Sequence, residues 1–218
     1  MTPEGIKVIS FDLDGTLVES EFNEWVWGVG IPQLFAEKKS IPFDEAKEIV
    51  EGEYRKVGDG SLEWYDIKYW FNVFQLTGSW KSLLNRFSHK IRTYPGVSRV
   101  LQDLSSRYRV IIISNAAREF IDIEVEMAEL RRYFSRIYSA TSDFGQIKKT
   151  ARFYGHICQL LWISPQEMVH VGDHWEFDYL VPKELGIKAL HIDRSWIRKG
   201  DDVIRDLAEV RERLELLG

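Results

Sequence analysis

The sequence predicts an α/β fold with a parallel sheet between helices, and three observations support this. Short apolar runs typical of buried strands recur in the second half of the chain, at residues 109–114, 135–139, 167–172 and 188–192. Helical patterns lie around and between these runs, over residues 97–107, 117–133, 150–162 and 179–185. Another apolar run, at residues 6–11, opens the chain. Regular alternation of this kind is typical of a parallel sheet with helices on both faces.

Residues 18–92 break the alternation, because they contain helical periodicities and no convincing strand. The predicted helices cover residues 22–39, 43–57, 62–76 and 79–91. We therefore predict two regions, a sheet-forming core from residues 1–17 and 93–218 and an inserted helical segment from residues 18–92. The pair Gly28 and Gly30 is too short and misplaced for a nucleotide-binding loop, so we interpret it as a kink or break in the first helix.

Five of the eight tryptophans lie in this helical segment: Trp25, Trp27, Trp64, Trp70 and Trp80. An aromatic stripe is more often core than pocket, but a lid over an active site also needs large side chains. Both interpretations stay open. The residues that set specificity do not follow from the sequence, and Trp25, Arg55, Trp64 and Trp175 are guesses only.

Composition favours a globular protein and gives no sign of a nucleic-acid or membrane partner. Hydrophobic residues make up 44% of the 218 residues and charged residues 29%, and a net charge of −5 provides no basic surface for nucleic acid. No stretch reaches the roughly 18 apolar residues needed to span a bilayer, and no signal-peptide pattern opens the chain. We expect a cytoplasmic protein whose single cysteine, Cys158, is buried and unpaired. The oligomeric state does not follow.

Two acids follow the first predicted strand directly, in the stretch Asp12-Leu13-Asp14-Gly15-Thr16. Ligands of open α/β sheets bind outside the carboxyl ends of the strands, so chemistry is expected at this point. Acids two residues apart repel each other unless a cation neutralises them or a proton is shared. The alternative is an Asp-Gly turn with solvated acids.

A second acid, Asp173, follows Gly172 at the end of another predicted strand. We expect Asp173 to converge with Asp12 and Asp14 on one divalent cation. Carboxylate oxygens suit Mg²⁺, and no cluster of cysteines and histidines suggests zinc. Asp178, five residues further on, either orders the loop through backbone hydrogen bonds, holds a metal-bound water, or is a helix N-cap.

Two further positions suggest a phosphate site. Ser114 and Asn115 close a strand and precede a helix, where a hydroxyl and successive backbone N–H groups can cradle phosphate oxygens, although alone they indicate only a helix cap. Lys148 and Lys149 precede the helix predicted from residue 150. A lysine there could neutralise a phosphoryl group and restrain a carboxylate, although such a pair is usually solvated.

In chain order these motifs resemble those of the haloacid dehalogenase (HAD) superfamily, and the likeness spans nearly the whole chain. It implies a doubly wound, Rossmann-like core with an inserted all-helical cap of C1 type. The roles it implies are Asp12 as nucleophile, Asp14 as general acid/base and backbone metal ligand, Ser114 with Asn115 as phosphate binders, Lys148 as charge clamp, Asp173 as metal ligand, and Thr16 and Asp178 as supporting residues. Lys148 is preferred to Lys149 because Tyr154 then occupies the usual aromatic position six residues later. The Lys149-Thr150-Ala151 stretch departs from the usual Pro-Asp-Pro, which leaves that choice open.

The resemblance implies a Mg²⁺-dependent phosphatase that cleaves a small phosphorylated metabolite through an aspartyl-phosphate. A phosphohexose mutase or another phosphotransferase would keep every core residue and is the main alternative. Asp14 disfavours a dehalogenase, which has no use for an acid/base there, and a phosphonatase, which usually has another residue. A non-catalytic binding protein would normally have lost at least one carboxylate. The basic residues of the helical segment are scattered, which is typical of a solvated face and not of a second phosphate clamp.

Overall fold

The computed structural model describes residues 5–216, and within them the strands form one parallel six-stranded sheet. The strands are β1 (Val8–Phe11), β2 (Arg109–Ser114), β3 (Arg136–Ser139), β4 (Met168–Gly172), β5 (Lys188–Ile192) and β6 (Val203–Ile204). Their order across the sheet is β3-β2-β1-β4-β5-β6. The chain thus winds outward in both directions from β1, and the order reverses between β1 and β4. The predicted doubly wound α/β fold is confirmed.

The strand predictions agree with the structure within two residues at each end. β1 begins at Val8, two residues after the start of its apolar run. β6 was not predicted, because two residues are too few to show a periodicity.

Helices cover both faces of the sheet. In the core they are α6 (Val97–Ser105), α7 (Arg118–Met127), α8 (Ala140–Phe144), α9 (Ala151–Leu161), α10 (Val181–Glu184) and α11 (Glu209–Leu216). Alternate residues of β1 point to opposite faces: Ile9 and Phe11 share a buried cluster with α6, α7 and α11, whereas Val8 shares one with α9. This packing buries the strands on both faces, so the side chains that leave their carboxyl ends are the ones free to form a site.

Residues between β1 and α6 are helical, with no strand from Glu19 to Arg92. The helices are α1 (Glu21–Trp25), α2 (Ile31–Lys39), α3 (Phe43–Val57), α4 (Ile67–Val73) and α5 (Trp80–Phe87). A π-helical turn, Val26–Gly30, joins α1 to α2, so the helix continues through the two glycines and is not broken there. A Cβ at Gly30 would lie 2.7 Å from the Phe87 ring, which explains the glycine by close packing of α5.

The helical segment has a hydrophobic cluster of its own, centred on the fully buried Trp70. The cluster continues onto Phe120 of α7, so the segment packs against the core helix that follows β2. Val18 and Thr93 pair as an antiparallel bridge where the chain enters and leaves the segment. The division into two domains at these points stays a prediction.

Two predictions from composition can be compared with the structure. Cys158 is buried and has no disulfide partner, as expected. Within residues 5–216, no helix is both long enough and apolar enough to cross a membrane.

Candidate active site

Three carboxylates meet at the carboxyl edge of the sheet, where β1 and β4 lie side by side. One oxygen each of Asp12, Asp173 and Asp178 lie within 4.8 Å of one another. Asp12 follows β1 and is only 7% exposed, Asp178 is fully buried, and Asp173 follows β4 and is exposed. The structure therefore brings Asp12 and Asp173 together as the sequence predicts. It adds Asp178 to the group and directs the Asp14 side chain elsewhere.

Two glycines allow the carboxylates to approach so closely. Gly15 has a φ of +74°, and a Cβ there would overlap the Asp173 carboxylate. A Cβ at Gly172 would overlap the carboxylate of Asp178. The Thr16 hydroxyl lies 3.2 Å from Asp173 Oδ1 and 3.5 Å from Asp12 Oδ2, so this predicted supporting residue links the two strand ends.

Lys149 is the lysine that faces Asp12, and the prediction of Lys148 as charge clamp is wrong. Lys149 is 1% exposed, and its Nζ donates to Asp12 Oδ1 at 2.6 Å and to the Ile113 carbonyl at 3.3 Å. It also forms an ion pair with Asp178. Burial and compensation by two carboxylates fix this ammonium group beside the carboxyl end of β2.

Lys148 points away from the acids toward the helical segment. Its side chain is 39% exposed, and its Nζ lies 3.6 Å from Asp59 and 5.2 Å from the centre of the Phe177 ring. The aromatic spacing favoured Lys148, which is six residues before Tyr154. The lysine that contacts Asp12 is Lys149, five residues before Tyr154. The buried Tyr154 hydroxyl donates to the Phe177 carbonyl at 2.9 Å.

Asp178 is the centre of a buried polar network and not a helix N-cap. It lies inside the π-helical turn Trp175–Leu180, and its Oδ2 accepts the His174 backbone N–H at 3.0 Å, so it orders the loop as one of the predicted alternatives states. Its Oδ1 lies 3.0 Å from His170 Nε2, and His170 Nδ1 lies 2.8 Å from the Ser10 hydroxyl. Ser10 and His170 are register partners in β1 and β4. Ser10 and His170 are polar residues inside two apolar runs, and this pattern could have indicated a buried polar network from the sequence alone.

Asp14 faces Asn23 of α1 and Glu124 of α7. Asn23 Nδ2 donates to Asp14 Oδ1 and, at 3.0 Å, to Glu124 Oε1. Glu124 is fully buried, and burial and the nearby Asp14 charge raise its pKa well above the ordinary value. Burial raises the pKa of Asp14 to about 6, against the effect of a hydrogen bond with Glu124. Glu124 was not identified from the sequence. Its position on the buried face of α7, between Phe120 and Val125, is unusual for an acid and was the available signal.

The site carries more negative charge than its own lysine neutralises. Burial, together with the charges of Asp178 and Asp173, raises the pKa of Asp12 well above its ordinary value despite Lys149. Burial also opposes ionisation of Asp178, but Lys149 and a hydrogen bond from His170 outweigh it and hold the Asp178 pKa below the usual range. One lysine thus faces several carboxylates. A group of this kind fits a divalent cation, which would favour the charged form of the remaining carboxylates.

A cavity of about 460 Å³ opens over these acids. Ser114 and Asn115, the predicted phosphate binders, both line it, and the buried Ser114 hydroxyl accepts the Ala116 N–H at 3.1 Å. Five aromatic side chains also line it and are here called the aromatic wall: Trp27, Tyr54, Trp64, Tyr65 and Phe120. Of the guessed specificity residues, Trp64 lines this cavity, whereas Trp25, Arg55 and Trp175 are not among its lining residues in the described part of the chain.

The sequence model of the haloacid dehalogenase-like hydrolases matches residues 6–186. The chain belongs to this family. It is 29% identical to a phosphoglycolate phosphatase of Chromobacterium violaceum over 185 residues, with 79% of each chain covered. It is 21% identical to the GMP/IMP nucleotidase YrfG of Escherichia coli K12 over 172 residues, which are 78% of this chain and 75% of that one.

Solved structures agree with this assignment. A HAD phosphatase from Thermococcus onnurineus superposes with a TM-score of 0.81 and 28% identity, covering 96% of this chain and 98% of the other. Together with the curated relatives, it identifies this HAD hydrolase as a phosphatase, as the sequence predicts.

Proposed function

We propose that this HAD phosphatase cleaves phosphate monoesters of small metabolites and that Asp12 is its nucleophile. The observation that carries the proposal is the contact between Asp12 Oδ1 and the buried Lys149 at 2.6 Å, on the floor of the cavity. With Oδ1 fixed in this way, Oδ2 is the oxygen available for attack. An oriented carboxylate beside a phosphate-sized space is what in-line displacement at phosphorus requires.

The reaction has two steps in this proposal. In the first, Asp12 Oδ2 forms a bond to phosphorus, the ester P–O bond breaks, and the leaving oxygen takes a proton from the Asp14 carboxyl. In the second, Asp14 takes a proton from a water molecule, whose oxygen attacks phosphorus and releases inorganic phosphate and the Asp12 carboxylate. Asp14 suits both steps, because a pKa raised to about 6 leaves it able to give and to accept a proton near neutral pH.

Lys149 and Ser114 support the charge that develops on the phosphoryl group. Lys149 lies against the attacking carboxylate, and Ser114 lines the cavity at the end of β2. Groups fixed in advance where charge develops supply most of the stabilisation in phosphoryl transfer. The Ser114 hydroxyl already accepts the Ala116 N–H, so its proton is free to be donated to a phosphate oxygen.

Mg²⁺ is the cation that we propose for this site. Asp12 and Asp173 would hold it, with the Asp14 backbone carbonyl as the predicted third ligand, because both oxygens of Asp178 already have partners in Lys149, His170 and the His174 N–H. An ion there supplies positive charge to the phosphoryl oxygens. The donor set fits, since it consists of oxygen atoms and carries an excess of negative charge.

The helical segment acts as a cap in this proposal. Its residues Trp27, Tyr54 and Trp64 belong to the aromatic wall of the cavity, which the acids of the core also line. Such a cap limits access of bulk water while the ester bond breaks. Among the lining residues in the described chain, Lys149 is the only lysine or arginine, so the cap side offers no second clamp of the kind a mutase acting on phosphorylated sugars would need.

A panel of phosphate monoesters in ¹⁸O-labelled water, with and without Mg²⁺, tests the function. The panel contains sugar phosphates, phosphoglycolate, nucleoside monophosphates and pyridoxal phosphate. We expect phosphate to appear at the rate of ester loss, only with Mg²⁺, and with one ¹⁸O atom per phosphate. Isomerised sugar phosphate formed faster than free phosphate would establish the mutase instead.

A further inference from the structure

The rings of the aromatic wall line the cavity and are fixed in place by packing against one another. Trp27 stacks on Phe120, with ring centres 5.2 Å apart and planes inclined by 17°. Tyr54 packs edge-on against both Trp27 at 6.1 Å and Trp64 at 6.0 Å. Rings held before the ligand arrives lose little conformational freedom on binding, so they favour ligands that match their shape.

The hydroxyl groups of the wall are bonded within the protein. The Tyr54 hydroxyl donates to the Trp27 carbonyl at 3.3 Å, and the Tyr65 hydroxyl to the Asp59 carbonyl at 3.4 Å. Burial, with the Glu51 charge, raises the pKa of Tyr54, so this phenol stays neutral and keeps its proton. The wall thus offers mainly apolar and π contacts to whatever lies above the phosphate.

Among the residues that the structure describes, the cavity lining has no cation to spare for a second anion. Its one lysine, Lys149, is 1% exposed and bound to Asp12 and Asp178. The His174 ring accepts the Phe177 N–H at Nδ1, at 3.2 Å, so this nitrogen already has a partner. Arg55 of α3 is exposed and 3.8 Å from Glu51. A carboxylate on the leaving group would therefore be desolvated among rings and acids without a partner.

We propose that the cavity selects phosphate monoesters whose leaving group is uncharged and carries a flat ring, such as a nucleoside, and discriminates against esters that bear a second anion. This inference rests on the proposed function, since it assumes that the phosphoryl group lies at Asp12. Stacking on the wall supplies affinity for the ring. The four acids that line the cavity repel any further negative charge.

Matched esters separate the two parts of the proposal. Benzyl phosphate and 4-carboxybenzyl phosphate have nearly the same leaving alcohol and differ in one carboxylate, whereas cyclohexylmethyl phosphate replaces the flat ring by a puckered one. We expect kcat/KM for benzyl phosphate to exceed that for the carboxylated ester at least tenfold and that for the cyclohexyl ester about threefold. A nucleoside 5′-monophosphate should likewise exceed ribose 5-phosphate, which lacks the base.

Two variants of the wall and one control locate the selectivity. Trp64→Leu should lower kcat/KM for benzyl phosphate about tenfold, whereas Trp80→Leu, a tryptophan of the same segment outside the cavity, should change it less than twofold. Trp64→Arg supplies a cation and should shift the ratio of carboxylated to uncharged ester at least tenfold toward the carboxylated one. Melting temperatures establish that each variant is folded.

The outcomes distinguish the two proposals. If none of the esters, including p-nitrophenyl phosphate, releases phosphate in the presence of Mg²⁺, the proposed function is wrong. If phosphate is released but the carboxylated ester or phosphoglycolate reacts as fast as benzyl phosphate, the selectivity is wrong and the phosphatase stands. An unchanged ratio in a folded Trp64→Arg protein would also overturn the selectivity.

Discussion

The acids at the sheet edge and the aromatic wall line one cavity, but they are held in place by different forces. At the edge, charged groups are fixed by short polar contacts, such as Lys149 to Asp12 at 2.6 Å. On the wall, rings are fixed by packing against other rings, such as Trp27 on Phe120. In the binding mode that we propose, the edge contacts the part that all phosphate esters share, whereas the wall contacts the part in which they differ. Substitutions at the sheet edge should lower activity toward every ester, whereas substitutions on the aromatic wall should lower it toward some esters only.

The largest effect is expected for Asp12→Asn, which keeps the side-chain volume and removes the nucleophile. Loss of a nucleophile costs up to about 10⁶ in kcat, so activity toward every ester should fall below about 10⁻⁴ of its original value. The fold should persist, because the change removes one of several crowded negative charges. Phosphate release and melting temperature measure the two effects. Retention of more than a few per cent of the activity, with deamidation excluded by mass spectrometry, would place the nucleophile elsewhere.

In Asp14→Asn, the loss of activity should depend on the leaving group of the ester, which we do not expect for substitutions of the other residues at the sheet edge. Loss of a general acid typically costs about 10²–10⁴, so alkyl esters should slow by that factor. p-Nitrophenyl phosphate should slow much less in its first step, because p-nitrophenolate leaves without a proton. Single-turnover rates for both esters give the comparison. An equal loss for the two would show that Asp14 is not the acid.

Lys149→Met and Lys148→Met form a matched pair of neighbouring substitutions. Loss of a fixed donor at the reacting group costs about 10²–10³ in kcat, which we expect for Lys149→Met with every ester. Removing this buried ammonium group also leaves Asp12 and Asp178 unpaired, so the melting temperature should fall. Lys148→Met should change kcat less than twofold, since its partner is the exposed Asp59. The assay is run below both melting temperatures. A greater loss of kcat from Lys148→Met than from Lys149→Met would show that Lys148 is the charge clamp.

A smaller effect than that of Lys149→Met is expected for Asp173→Asn, which should weaken Mg²⁺ binding by at least about tenfold and leave activity recoverable at high Mg²⁺. The increase in melting temperature on addition of Mg²⁺ reports binding without turnover. Thr16→Val is a useful companion, because it removes the hydroxyl that joins Asp173 to Asp12 and leaves both carboxylates. An unchanged Mg²⁺ titration in Asp173→Asn would place the ion away from this acid.

Local sequence patterns were sufficient to predict five of the six strands and the acids that follow two of them. Apolar runs and the residues that follow them are local features, and the parallel order then brings Asp12 and Asp173 to one edge. The long helix α3 was likewise predicted with its observed limits, 43–57, because its pattern is regular over four turns.

Which of several similar residues reach the site depends instead on contacts between segments that are distant in the sequence. Lys148 and Lys149 differ by one position in a loop, and contacts with the Ile113 carbonyl, Asp12 and Asp178 turn Lys149 inward. Glu124 comes to face Asp14 because α7 packs beside α1, across a hundred residues of chain. Among the tryptophans, Trp70 is fully buried in the hydrophobic cluster of the helical segment, whereas Trp64 lines the cavity. Such choices depend on contacts between distant segments, and a local pattern contains no information about which segments will meet.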